Sequence, residues 1–99
     1  MRPASRSALA VARVDFRVPG SRSLKEKRRV VRSFLERARS RFGIAAVESG
    51  WRDDRSLASL TLAALADRAE AAEGLLRAAV ALLEDDYAAE VFAVEAESH

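Results

Sequence analysis

The stretch from Pro19 to Gly43 (PGSRSLKEKRRVVRSFLERARSRFG) leaves this chain little freedom. Pro19-Gly20 is a turn dipeptide. Ser23 followed by Glu26 forms a capping box. The serine hydroxyl accepts from the Glu26 N–H, and the carboxylate reaches back to the Ser23 N–H. A helix therefore starts at about Leu24. Leu24, Val31, Phe34, Leu35, Ala38 and Phe42 recur at three-four spacing and make one apolar stripe. Gly43 supplies the left-handed stop. Lys25, Arg29, Arg32 and Glu36 fall on the opposite, wet face. Lys27 and Arg28 flank the stripe, where long side chains snorkel around apolar surface.

The rest of the chain arranges itself around that helix. Before it, Ala8 to Val18 alternates: Ala10, Ala12, Val14, Phe16 and Val18 on one face, and Leu9, Val11, Arg13, Asp15 and Arg17 on the other. Period two predicts a strand with one buried face. After it, Ile44 to Glu48 reads as a short strand, Ser49 to Arg55 as a loop, and Ser56 to Ala66 as a third strand. The third is alanine-rich, so alternation carries the reading rather than β propensity. Asp67 and Glu70 suggest a second capping box. The helix behind it runs to about Asp86, on a stripe of Ala72, Leu75, Leu76, Ala79, Leu82 and Leu83. Glu84, Asp85 and Asp86 lie at its negative end, against the dipole. Ala89 to Ala96 is the fourth strand, with Phe92, Val94 and Ala96 inward and Val91, Ala93 and Glu95 outward.

The order βαββαβ is the split βαβ unit of an α+β, ferredoxin-like fold. Right-handed crossovers put both helices on one face of a four-stranded antiparallel sheet of order 4-1-3-2. Residues 1–7 read as a flexible tail and residues 8–97 as one domain, which is what 99 residues can build. The second and fourth strands are edges. The apolar run Val91 to Val94 on an edge invites pairing, and a homodimer through strand 88–97 is one way to cover it.

Composition narrows the function. There is no cysteine, and the single histidine is the last residue, His99. Disulfides, thiolate chemistry and a Ser-His-Asp arrangement are excluded, and transition-metal ligation nearly so. No glycine-rich phosphate loop is present. No cofactor, metal site or catalytic residue is expected, and the chain reads as a non-enzyme. No segment has the length of a membrane span, and Ala8 to Ala12 is too short for a signal core. No membrane association and a cytoplasmic location are the expectations.

Charge is lopsided. Residues 1–52 carry 14 Lys/Arg against 4 Asp/Glu, and residues 53–99 carry 3 against 11. Half the chain is basic, and much of that charge sits on the first helix. Its N-terminal turn, Ser21, Arg22 and Ser23 leading into Lys25, offers N–H donors, hydroxyls and mobile cations to an oxyanion. Arg29, Arg32 and Arg39 continue the basic face along the helix. Acylphosphatase chemistry on this fold needs an asparagine, and the chain has none. Base stacking of the RNA-recognition-motif kind needs aromatics on the central strands. Arg13, Asp15, Arg17, Ser59 and Thr61 stand there instead. Trp51, in the middle hairpin, is the one candidate for a stacking or partner contact.

The run Ser21-Arg22-Ser23-Leu24-Lys25-Glu26-Lys27-Arg28-Arg29-Val30-Val31, following a strand that ends in Val-Pro-Gly, resembles the YlxP-like family of small bacterial proteins of unknown function (domain of unknown function 503). The likeness extends from about Ala8 to Glu97. It implies the ferredoxin-like βαββαβ domain and no established activity. The family's genes lie often beside translation and ribosome-maturation genes, which implies a ribosomal setting. Family members carry Asp, His and Trp in the middle hairpin. Here that segment reads Ser49-Gly50-Trp51-Arg52-Asp53-Asp54-Arg55, and only Asp53 matches in place.

Two functions fit these observations. The first is a non-enzymatic module for structured RNA or a ribosomal particle, binding through the basic helix and its N-terminal turn. The second is a homodimeric protein-interaction or small-effector-binding regulatory domain.

Overall fold

The computed structural model describes residues 6–99, so most of the expected N-terminal tail, residues 1–5, lies outside the described residues. The elements run β1 (Ala8–Arg17), α1 (Leu24–Phe42), β2 (Ala45–Gly50), β3 (Leu57–Ala66), α2 (Ala69–Tyr87) and β4 (Glu90–Ser98). The strands form one antiparallel sheet of order β2-β3-β1-β4, which is 4-1-3-2 read from the other edge. The fold is ferredoxin-like, as the order of periodicities predicts.

The alternation of β1 survives intact. Ala8, Ala10, Ala12, Val14 and Phe16 are buried along its helix side. They meet Ala58, Leu60, Leu62 and Ala64 of β3, also buried. Val31, Phe34 and Ala38 of α1 and Ala72, Leu76, Ala79 and Leu83 of α2 close the core from above. Alanine at so many core positions brings helices and sheet close together. Among the described residues, the other face of the sheet carries no helix.

Three local expectations need correction. The Glu26 carboxylate reaches back to the N–H of Arg22, 2.6 Å away, one residue earlier than the Ser23 N–H expected of a capping box. The Asp67–Glu70 box does not form. The N-cap of α2 is Arg68, whose side chain makes no capping bond, so Asp67 sits one residue too early to cap. Phe92 does not point into the core. The ladder between β1 and β4 shifts register between Asp15 and Phe16, so Val91 takes the inward place opposite Phe16 and Phe92 becomes the extra residue, 55% exposed. A bulge of this kind re-aims one side chain. Strand β4 also extends beyond Ala96 to Ser98. His99 follows it with two main-chain bonds to Leu9, at 2.7 and 3.0 Å, so the terminal residue is held.

Candidate nucleic-acid interface

The N-terminus of α1 is built as its sequence dictates, and that construction decides how much of it is open. Ser23 is extended (φ −146°, ψ 159°), and its hydroxyl oxygen accepts the Glu26 N–H at 3.1 Å. A hydroxyl that accepts keeps its own proton free to donate. Ser21 is different. Its hydroxyl points back to the Arg55 carbonyl at 2.7 Å and the Ser23 carbonyl at 3.1 Å. That proton is spent tying the turn to the β2–β3 loop. The Arg22 N–H is taken by Glu26. The Glu26 carboxylate therefore occupies the place an outside anion would favour. The turn contributes the Arg22 and Lys25 side chains, both exposed, more than its backbone.

The outer face of α1 stays open. Arg28, Arg29, Arg32 and Arg41 are exposed, and no carboxylate lies within ion-pairing distance of them among the described residues. The acidic second helix does not mask this face. Its pairing with α1 comes down to one place, where Asp86 accepts from Arg37 at 2.9 Å. Tyr87 joins that corner, with its hydroxyl 2.8 Å from Ser33 Oγ and its ring edge-on to Phe34. Arg39 is exposed too, but its guanidinium reaches across to β2 and donates to the Ala46 carbonyl. Between α1 and β2 runs a groove of about 280 Å³ lined by Arg28, Arg32, Arg39, Glu36 and Glu48. One oxygen of Glu48 is buried there without a hydrogen-bond partner.

Sequence reasoning set Lys27 on the rim of the apolar stripe as a snorkelling residue. The structure buries it completely, at 0% exposure. Its ammonium donates to the main-chain carbonyls of Trp51 at 2.5 Å and Leu57 at 2.9 Å, with Arg52 at 3.5 Å. Burial pushes its pKa down, and Glu48 and Asp54 partly offset that. The signal was present in the spacing. Lys27 precedes Val31 by four residues and Phe34 by seven, which is the core phase of the helix. Its charge argued for the rim, and the unpaired carbonyls of a tight loop overruled the charge.

That loop is otherwise self-made. Asp54 accepts from the N–H groups of Ser56 at 2.8 Å and Leu57 at 2.7 Å. These bonds hold its carboxyl below the usual range. Trp51 leaves β2 with φ +51°, a left-handed conformation that turns the chain sharply. Its indole lies 5.8 Å from the Phe92 ring, tilted by 53°. The two rings start from opposite edge strands, and the helix side between them is filled by Phe16, Ala58 and Leu60. They therefore meet over the face that no helix covers. Beneath this end of the sheet, Arg13 donates to Ser59 and Asp15, and Ser59 is fully buried. Trp51 thus has a partner within its own chain, which sequence reasoning did not find because the β4 bulge that exposes Phe92 leaves no mark in the alternation.

Fold and surface together define a small ferredoxin-like α+β domain with one exposed basic helix. Among the described residues no three His, Cys, Asp or Glu side chains cluster as metal ligands, and no helix is long and apolar enough to cross a membrane. The family model for a protein of unknown function (DUF503) matches residues 9–96, and the chain belongs to that family. No curated protein matches it significantly. Among solved structures it is similar to a de novo designed protein, Foldit4, at 14% identity and a TM-score of 0.53, with 94% of this chain and 96% of that chain covered. Likeness at that identity concerns the fold alone.

Proposed function

We propose that this protein is a non-enzymatic binding module for structured RNA, of the kind a ribosomal particle presents, and that α1 is its contact surface. The observation that carries this reading is the absence of carboxylate partners for Arg28, Arg29 and Arg32 among the described residues, on a helix whose neighbour is acidic. Arg22 and Lys25 extend the same surface to the helix N-terminus. Spacings of three and four residues line these cations up along one side of a rod of 19 residues. Phosphates along a duplex present charge at comparable intervals. The central strands offer no aromatic platform, so recognition rests on charge and shape. Of the residues expected to contact phosphate, Ser21 also ties the turn to the β2–β3 loop, and Arg39, exposed, also ties the helix to β2.

The test is binding to ribosomal particles and to structured RNA at two salt concentrations. Affinity is expected to fall steeply with salt, because each neutralised phosphate releases counterions. Arg29→Glu combined with Arg32→Glu abolishes binding while leaving the fold intact, since both side chains are exposed. Binding that is indifferent to salt or survives this double reversal refutes the reading.

A further inference from the structure

We propose that β4 and the groove between it and α2 receive a second copy of this chain, about a two-fold axis at Val94. The proposal is independent of the RNA reading.

Helix α2 packs mainly over β1 and β3 and covers the helix side of β4 only in part. Because Ala10, Ala12 and Ala96 are small, a groove of about 620 Å³ opens there, walled by Leu76 and Val80. Val94 stands in it 51% exposed. The strand edge is open as well. Leu9 and His99 exchange both of their main-chain hydrogen bonds. In an antiparallel ladder such pairs alternate, so Ser98, Ala96 and Val94 aim their N–H and C=O groups away from β1. The same three residues thus present an unpaired backbone edge and side chains on a partly covered face. An edge of this kind is a template for another strand.

The sequence of β4 fits itself. Val94 is the middle of Glu90–Ser98. An antiparallel second β4 centred there sets Val94 against Val94 and, once the bulge at Phe92 is passed, Ala96 against Val91, both on the helix side. Next to the axis Glu95 meets Ala93, so no carboxylate faces another there. Sliding the centre to Ala96 would set Glu95 against Glu97, a pairing of like charges that is unfavourable. Helix α2 obeys the same axis. Ser98 donates to Glu73 at 2.7 Å, which fixes the end of β4 against the start of the helix. From there Val94 lies ~13 Å back along the strand. The same distance along α2 reaches about Ala81. There the exposed small side chain lets two helices cross closely. The crossing brings Arg77 to the acidic end of the other helix, at Glu84. Arg77 and Glu84 both line the groove, and no ion pair engages either among the described residues. The acidic C-terminus of α2, unfavourable in the isolated chain, gains a cation.

Sedimentation equilibrium of the full chain and three variants tests this. The wild type is expected to dimerise at micromolar concentration. Val94→Asp, which brings two carboxylates together at the axis, is expected to yield a monomer with an unchanged circular dichroism spectrum. Arg77→Glu is expected to raise the dissociation constant roughly tenfold, since two pairs turn from attraction to repulsion. Adding Glu84→Arg to it restores the wild-type value. A wild type that stays monomeric at high micromolar concentration overturns the proposal. So does a dimer indifferent to Val94→Asp, or an Arg77→Glu defect that the reversed pair leaves unrepaired.

Discussion

The two helices are the same length and cover the same sheet, yet they are finished differently. Helix α1 has a serine that caps its first turn and a glycine, at φ +64°, that ends it. Basic residues Arg39 and Arg41 lie in its last turn, where the dipole favours them. It also seals its edge of the sheet, with Lys27 bonded to the hairpin carbonyls and Arg39 to that of Ala46. Helix α2 starts on Arg68 without a capping bond, ends on Ala88 at φ +52° and carries acids in its last turn. It leaves much of β4 uncovered. Long cations let α1 both fill and bind its edge, whereas an alanine-rich helix can pack closely only over the strands directly below it. The lesson is that α1 ties itself to its edge of the sheet, whereas α2 leaves much of the other edge open.

Lys27→Met breaks the comparison most severely. The methionine fills the volume but donates nothing, and the buried carbonyls of Trp51 and Leu57 lose their partner. A lost bond from a charged donor and an orphaned carbonyl each cost about 1.5–3 kcal/mol. Relief of the ammonium's burial returns a part. Denaturant unfolding should register a net loss of about 3 kcal/mol, with Arg28→Met, one residue along and exposed, close to neutral. The same loop has an acid dependence. Asp54 is held ionised by two main-chain N–H groups, so its native pKa lies below its unfolded one. Its contribution to stability is full above the ordinary carboxylate range and fades as pH falls through the native value. The stability gap between wild type and Asp54→Asn should therefore close on acidification. A gap that stays constant shows that the charge of Asp54 plays no part in holding the loop.

This contrast also marks what could be read from the residues alone. Strand β1, helix α1 and the sheet order were legible because period, cap and stop all agree there, and agreement across levels is what specifies a structure. The basic outer face of α1 was legible for the same reason. Lys27 was misread because its type and its phase disagree. Phe92 was misread because a bulge inserts one residue and reverses the faces beyond it. The start of α2 was misread because Asp67 and Glu70 have the right spacing, but the chain enters the helix one residue late.

The difference between the two starts gives the next effect. Ser23→Ala removes a real capping acceptor and should cost about 1 kcal/mol. Asp67→Ala removes a residue that caps nothing, and its effect should stay within about 0.5 kcal/mol. Equal losses in thermal or denaturant unfolding would mean that Asp67 does cap α2 in solution.

The smallest effect is a gain, at the other end of α2. Ala88 sits in the left-handed region, where a Cβ costs about 1 kcal/mol. Glycine there removes that strain but gives the unfolded chain more freedom, at roughly 0.5 kcal/mol. The difference leaves Ala88→Gly stabilising by about 0.5 kcal/mol. Ala88 is exposed, so no packing is lost in the exchange. The mirror substitution, Gly43→Ala at the end of α1, puts a Cβ into the same conformation and takes the same freedom from the unfolded chain, so it should cost about 0.5 kcal/mol. Opposite signs at the two C-termini would establish that the helices differ in their finishing rather than in their packing. A loss at Ala88→Gly would place the αL strain of α2 below the entropy of one glycine, and remove its C-terminus from the contrast.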